Sequence, residues 1–180
     1  MIDVSLKEIN LADIEQQLFL YDILKFRWKS KDTINIKHKC QEKLPSFQEH
    51  QHLILSGKYK VFYKIMANDL PIGTVFIDKN DINGTFIVPE LLKNAFKKYK
   101  GQKLNIQDKP LSAYVHIALF KLHPEIKIHY ASVNPKNKLS IKSLTDNGYE
   151  LIECILAIKT VDGKVSMGKW KEIDDKFIQT

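Results

Sequence analysis

Residues 126–153, IKIHYASVNPKNKLSIKSLTDNGYELIE, decide how this chain reads. Ile126, Ile128 and Tyr130 alternate with Lys127, His129 and Ala131, the period of two expected of a sheet strand. Asn134-Pro135 breaks that strand, because proline fixes its own φ and turns the residue before it away from helical space. Asn137 is placed to cap a short helix whose inward stripe is Ile141 and Leu144. Gly148 ends the helix, since glycine takes the left-handed C′ position without a Cβ penalty. Tyr149, Leu151 and Ile155 then resume a strand alternation. The stretch is strand, helix and strand, with punctuation at each join.

Written out as Asn137-x-x-Ser140-Ile141, then Leu144, then Gly148-Tyr149, the pattern resembles the strand, helix and strand near the C-terminus of GNAT-superfamily N-acetyltransferases. The resemblance implies an α/β fold: a mixed, mostly antiparallel sheet flanked by helices and splayed between its fourth and fifth strands. It also implies acetyl-CoA as acyl donor, its pantetheine arm lying in the splay against unpaired backbone groups. By the same resemblance Asn137 and Ser140 hold the cofactor arm, with Lys136 or Lys138 nearby. Backbone N–H groups near Ile87 and Val88 polarise the thioester. Many members place a tyrosine in the short helix to protonate the leaving sulfur; that position is Leu144 here.

Composition sets the outer bounds. A chain of 180 residues is expected to form one domain and to bury about 70% of the surface its unfolded form exposes. With 44% hydrophobic and 27% charged residues it has an ordinary globular composition. No apolar run reaches the ~18 residues of a membrane span, and residues 1–20 lack the pattern of a signal peptide, so a cytoplasmic protein without membrane association is expected. Cys40 and Cys154 show no metal-ligand spacing and read as reduced structural thiols. Of 28 basic residues, Arg27 is the sole arginine and the rest are lysines, so the +7 charge does not suggest sequence-specific nucleic-acid readout. A lysine-rich surface does suit a polyanionic small molecule. The six histidines form no zinc pattern, and no dinucleotide fingerprint or phosphate loop is present.

Taken in order, residues 5–24 carry an apolar stripe that becomes helical from Ile14 onward, after a short strand or turn. Arg27-Trp28 follows it. Ser46 with Glu49 makes a capping box for a second helix that includes His50. An Arg-Trp helix end, a loop and a Ser-x-x-Glu-His helix resemble the branch of the superfamily that includes ribosomal-protein N-terminal and nucleotide-amino-sugar acetyltransferases. The resemblance implies that Arg27 and Trp28 contact an amine acceptor, small molecule or peptide, and makes His50 a candidate base.

Residues 59–66 and 72–77 read as a hairpin joined across 67–71. Asn83-Gly84 is expected to turn into a fourth strand at 85–88, ending at Pro89-Glu90. Glu90 is a second candidate base, directly or through water, or else an exposed carboxylate at a helix start. After this strand the family's glycine pair is missing: Leu91, Leu92, Ala95, Phe96 and Tyr99 instead suggest an inserted amphipathic helix. A further helix over about 110–122 leads into the fifth strand at 126–133 and sits where the family's phosphate-binding helix belongs. Gln107, Lys109 and Ser112 are therefore expected near the pyrophosphate, with Asp108 either opposing it or capping the helix; a rival placement uses the first of the two helices, beginning at Pro89-Glu90. Strands from Cys154 and Lys164 close over Asp162-Gly163. The resemblance covers roughly residues 10 to 173 and leaves monomer and homodimer equally open.

Overall fold

A computed structural model describes residues 1–29, 43–131, 133, 138–146 and 148–150, the Leu139 side chain excepted, and the backbone of three strands within 154–179. The chain opens with strand β1 (Ile2–Glu8) and helix α1 (Ile14–Lys29). Helix α2 (Phe47–Leu55) starts on the expected capping box: the Ser46 hydroxyl accepts from Glu49 N–H, and Ser46 N–H donates to the Glu49 carboxylate at 2.7 Å. Strands β2 (Tyr59–Ala67), β3 (Leu70–Asp78) and β4 (Ile82–Ile87) follow. Helix α3 (Pro89–Lys98), a two-residue strand β5 (Leu104–Asn105) and helix α4 (Leu111–Leu122) lead to β6 (Tyr130–Ala131) and helix α5 (Lys138–Thr145).

Six strands form one sheet in the order β5-β1-β2-β3-β4-β6. β1 to β4 run antiparallel to their neighbours, whereas β5 on β1 and β6 on β4 are parallel. This is the mixed, mostly antiparallel sheet expected. On one face Ile2, Val4, Ile65, Ile72, Val75 and Ile77 form a core with Ala95 of α3 and Val115 and Leu119 of α4. On the other, Phe62 packs with Ile9, Leu20 of α1 and Ile54 of α2. Alternation along each strand supplies both apolar faces, so helices cover the sheet twice.

Several expectations are corrected. The β2–β3 turn is tighter than 67–71: Ala67 pairs with Leu70, Asn68 takes φ 51, and Pro71 lies inside β3 opposite Met66, next to a bulge. Asn83-Gly84 is not a turn but the interior of β4. The reversal lies earlier, where the Asp78 carboxylate accepts from Asn80 N–H (2.8 Å) and Ile82 N–H (3.0 Å) and Asp81 adopts φ 61. Gly84 has a different reason. A Cβ there would stand 2.4 Å from Cζ of Phe76, whose ring lies over it. The expected fifth strand at 126–133 shrinks to Tyr130–Ala131.

Gly148 holds the left-handed conformation foreseen for it, φ 81, and Tyr149 N–H reaches back to Leu144 C=O at 3.1 Å. Tyr149 and Glu150 are not in a strand. Strands β7 (Cys154–Lys159), β8 (Val165–Ile173) and β9 (Lys176–Gln179) form a separate antiparallel sheet. Asp162-Gly163 lies outside the described residues, as do residues 30–42 and 134–137. No described helix is long and apolar enough to cross a membrane.

Candidate active site

β4 divides the region of interest into two compartments. On its β6 side, pairing begins with Tyr130 N–H donating to Asp81 C=O at 3.1 Å and continues as Ile82 opposite Tyr130 and Asn83 opposite Ala131. There the ladder stops. From Gly84 to Ile87 this edge of β4 has no strand partner among the described residues, while its other edge stays paired to β3 through Gly73 opposite Ile87. Among the described residues, β4 and β6 thus pair only at the N-terminal end of β4.

Register decides which backbone groups face the opening. Val88 N–H donates to Ile72 C=O at 2.9 Å and is committed to β3. In an antiparallel ladder, successive residues turn their N–H groups to opposite edges. The N–H of Ile87, one residue earlier, and that of Thr85 therefore point away from β3, to the open side. Of the two amides expected to polarise a thioester, Ile87 has the required direction and Val88 does not.

Helix α4 starts beyond this opening. Ile106 C=O accepts from Lys109 N–H at 3.0 Å across Gln107 (φ 53) and Asp108 (φ 57), a tight turn that delivers the chain to Pro110. No side chain caps the helix, so Asp108 is not a cap. The amides of Leu111, Ser112 and Ala113 precede the first intrahelical bond, from Tyr114 N–H to Pro110 C=O. Gln107 and Lys109 are exposed beside this terminus. The Ser112 hydroxyl shares a hydrogen bond with the Ser143 hydroxyl (2.7 Å), tying α4 to α5, so what it offers at the terminus is its amide. Asn137 lies outside the described residues; Ser140 is half-buried in α5.

At the closed end of the seam a polar cluster sits under β4. The Asn83 amide donates to the Tyr149 hydroxyl at 2.9 Å, and Thr85 Oγ1 lies 3.0 Å from His116 Nε2. His116 is 5% exposed, its Nδ1 has no partner among the described residues, and burial with His129 nearby lowers its pKa to about 4. Burial raises the Tyr149 phenol, which stays protonated at neutral pH.

The second compartment is a cavity of about 730 Å³ between α1, α2 and the opposite face of the sheet. Gly84 and Phe86 of β4, Thr74 and Phe76 of β3 and Tyr59 of β2 floor it; Arg27, Tyr21 and His50 wall it. Arg27 and His50 are thus brought together in one cavity. Trp28 is half-buried but does not line it. Glu90 is exposed in the first turn of α3, also away from the lining, where a carboxylate suits the helix dipole.

The His50 ring packs 5.7 Å from Tyr21, its Nε2 is shielded without a partner among the described residues, and burial lowers its pKa. It is a neutral imidazole near pH 7. The Arg27 guanidinium lies 5.3 Å over the Phe86 ring, and burial lowers its pKa. Tyr59, Phe76 and Phe86 escaped the sequence reading. For Phe76 and Phe86 the signal was the even-numbered alternation of β3 and β4, visible once Gly84 is assigned to the strand rather than a turn.

The element order and the mixed six-stranded sheet with helices on both faces have the arrangement of a GNAT-like fold. Among solved structures, the chain is similar to the aminoglycoside acetyltransferase AAC(6')-Ib, crystallised in complex with coenzyme A and kanamycin. The TM-score is 0.52 at 16% identity, over 91% of this chain and 92% of that one. No protein-family model matches the sequence, and no curated protein sequence matches it.

Proposed function

We propose that this protein is a single-domain N-acetyltransferase that moves an acetyl group from acetyl-CoA to a primary amine. The observation that carries the proposal is that β4 is shared. On one edge residues 84–87 have no strand partner among the described residues, which leaves that edge for a thioester arm, and Gly84 and Phe86 border the cavity holding Arg27 and His50. Donor and acceptor would meet across one strand.

In this reading the pantetheine amides pair with the open edge from Gly84 to Ile87, since unpaired backbone groups need partners. The pyrophosphate lies at the uncapped start of α4, near Gln107 and Lys109, on the amides of Leu111, Ser112 and Ala113. Asn137 and Ser140 flank the arm. Ile87 N–H polarises the thioester carbonyl. The amine nitrogen attacks the carbonyl carbon, the C–S bond breaks, and coenzyme A leaves as thiolate. His50 removes the proton the nitrogen loses. The thiolate gains one from water, because Leu144 cannot supply it.

The leading acceptor is a nucleotide-linked amino sugar, whose rings suit an aromatic-floored cavity; a peptide N-terminus is second. A non-catalytic relative that binds a ligand through the same cleft is the competing class, favoured by the missing glycine pair after β4 and by Leu144. Isothermal titration with acetyl-CoA separates them. Heat of binding followed by thiol release with an amine supports the enzyme, and no binding at millimolar cofactor removes it.

A further inference from the structure

Arg27 has an incomplete environment. It is half-buried at the end of α1 and lines the cavity, with one face on the Phe86 ring. Among the described residues it has no hydrogen-bond or ion-pair partner; the ion pairs there use Lys25, Lys60, Lys98, His123 and Lys142. Among the described lining residues the one carboxylate, Glu49, is engaged by the Ser46 amide and hydroxyl, at 2.7 and 2.9 Å. Lys43 adds a second cation to the lining, and His50 is uncharged. The described lining thus holds an excess of positive charge.

A guanidinium carries five N–H donors in a planar fork, and taking it out of water without an acceptor is unfavourable. Stacking on Phe86 occupies a face and leaves the fork without an acceptor among the described residues. The helix dipole at the end of α1 favours a cation there but supplies no in-plane acceptor. A carboxylate or phosphate matches the fork with two parallel hydrogen bonds. A polycation such as kanamycin, bound by the structurally similar acetyltransferase, would meet repulsion instead.

We infer that Arg27 makes the cavity selective for an amine bearing an oxyanion, phosphate or carboxylate, and against polycationic amines. Arg27 is then a specificity-determining residue. The oxyanion docks on its fork, which leaves the amine to the His50 side. The amine half of this inference rests on the acetyl-transfer reading; the oxyanion half does not.

The test is calorimetric titration of the whole chain, held at saturating coenzyme A so that probes cannot occupy the donor site. The probes are uridine diphosphate, the amidated tripeptide Ser-Glu-Glu, and kanamycin. Binding of either anionic probe, weakened on the order of 30-fold by Arg27→Met and about 5-fold by Arg27→Lys, supports the inference and identifies the oxyanion source. Kanamycin should bind more weakly than both, and uridine should bind like uridine diphosphate does to Arg27→Met. Equal binding of the anionic probes to wild type and Arg27→Met, no binding of either, or tighter binding of kanamycin overturns it. Thermal unfolding confirms that each variant is folded. Should Arg27→Met fail to fold, competition by inorganic pyrophosphate against either anionic probe decides on the wild type: displacement supports the oxyanion site and its lack refutes it. If acetyl-CoA fails to bind while the anionic probes do, acetyl transfer falls and the oxyanion site stands; the opposite result sinks this inference alone.

Discussion

His116 Nε2 and Thr85 Oγ1 lie 3.0 Å apart, joining the buried middle of α4 to β4 just past its last residue paired with β6. The imidazole is held neutral there, with a pKa lowered to about 4 by burial and by His129. In the unfolded chain its value would be about 6.5, so below that the unfolded state takes up a proton the folded state refuses. Stability should be full above pH 6.5, decline as pH falls toward 4, and lose on the order of 3 kcal/mol over that window. Denaturant titrations of wild type and His116→Gln between pH 7 and 4 measure it. The variant should show the shallower decline, and parallel curves would dismiss the assignment.

Gly84 gives a packing prediction. The Phe76 ring above it is itself held by Tyr59 and Phe62, with centroids 5.1 and 5.6 Å away, and cannot simply swing aside. Gly84→Ala should destabilise by about 1–3 kcal/mol through overpacking. In a double-mutant cycle, Phe76→Leu should recover part of that loss. Additive effects would mean that the ring does not constrain the site.

Tyr149 supplies the acceptor for the Asn83 amide, and Asn83 is 4% exposed. Tyr149→Phe removes that acceptor with almost no change in shape. An unsatisfied buried donor should cost about 1–3 kcal/mol, read from the midpoint of urea unfolding. Hydrogen exchange at Asn83 and Ala131 should accelerate in the same variant, because the amide–phenol bond braces the two residues where the strands part.

His50 is testable through rate. If it accepts the amine proton, kcat/KM for acetyl transfer should fall on the acid side with a midpoint below 6.5, since burial lowers its pKa. His50→Gln should remove that limb and slow turnover by about 10²–10⁴-fold. An unchanged profile in the variant assigns the base elsewhere.

What the sequence made legible was local. Ser46 and Glu49, Pro89 at a helix start and Gly148 at a helix end each announce an element through their nearest neighbours. What stayed hidden depends on partners distant in sequence. Asn83-Gly84 looks like a turn because the reason for Gly84 is Phe76, on another strand. Val88 is adjacent to Ile87, yet only the pairing with Ile72 reveals that its amide is already used. Likewise, nothing local distinguishes Arg27 over Phe86 from an ordinary surface cation, whereas the cavity and its occupied carboxylate do. The fold was readable from punctuation; the cavity floor, set by register, was not.

The alternation of β4 has a practical consequence. Gly84 and Phe86 look into the cavity, while the intervening Thr85 and Ile87 send their side chains to the α3–α4 side and their amides to the seam. Even positions are thus handles on which amine is accepted, and odd positions are handles on how the acyl group is presented. A library restricted to one parity could retune either property in isolation, an independence that a site assembled from a single loop would not provide.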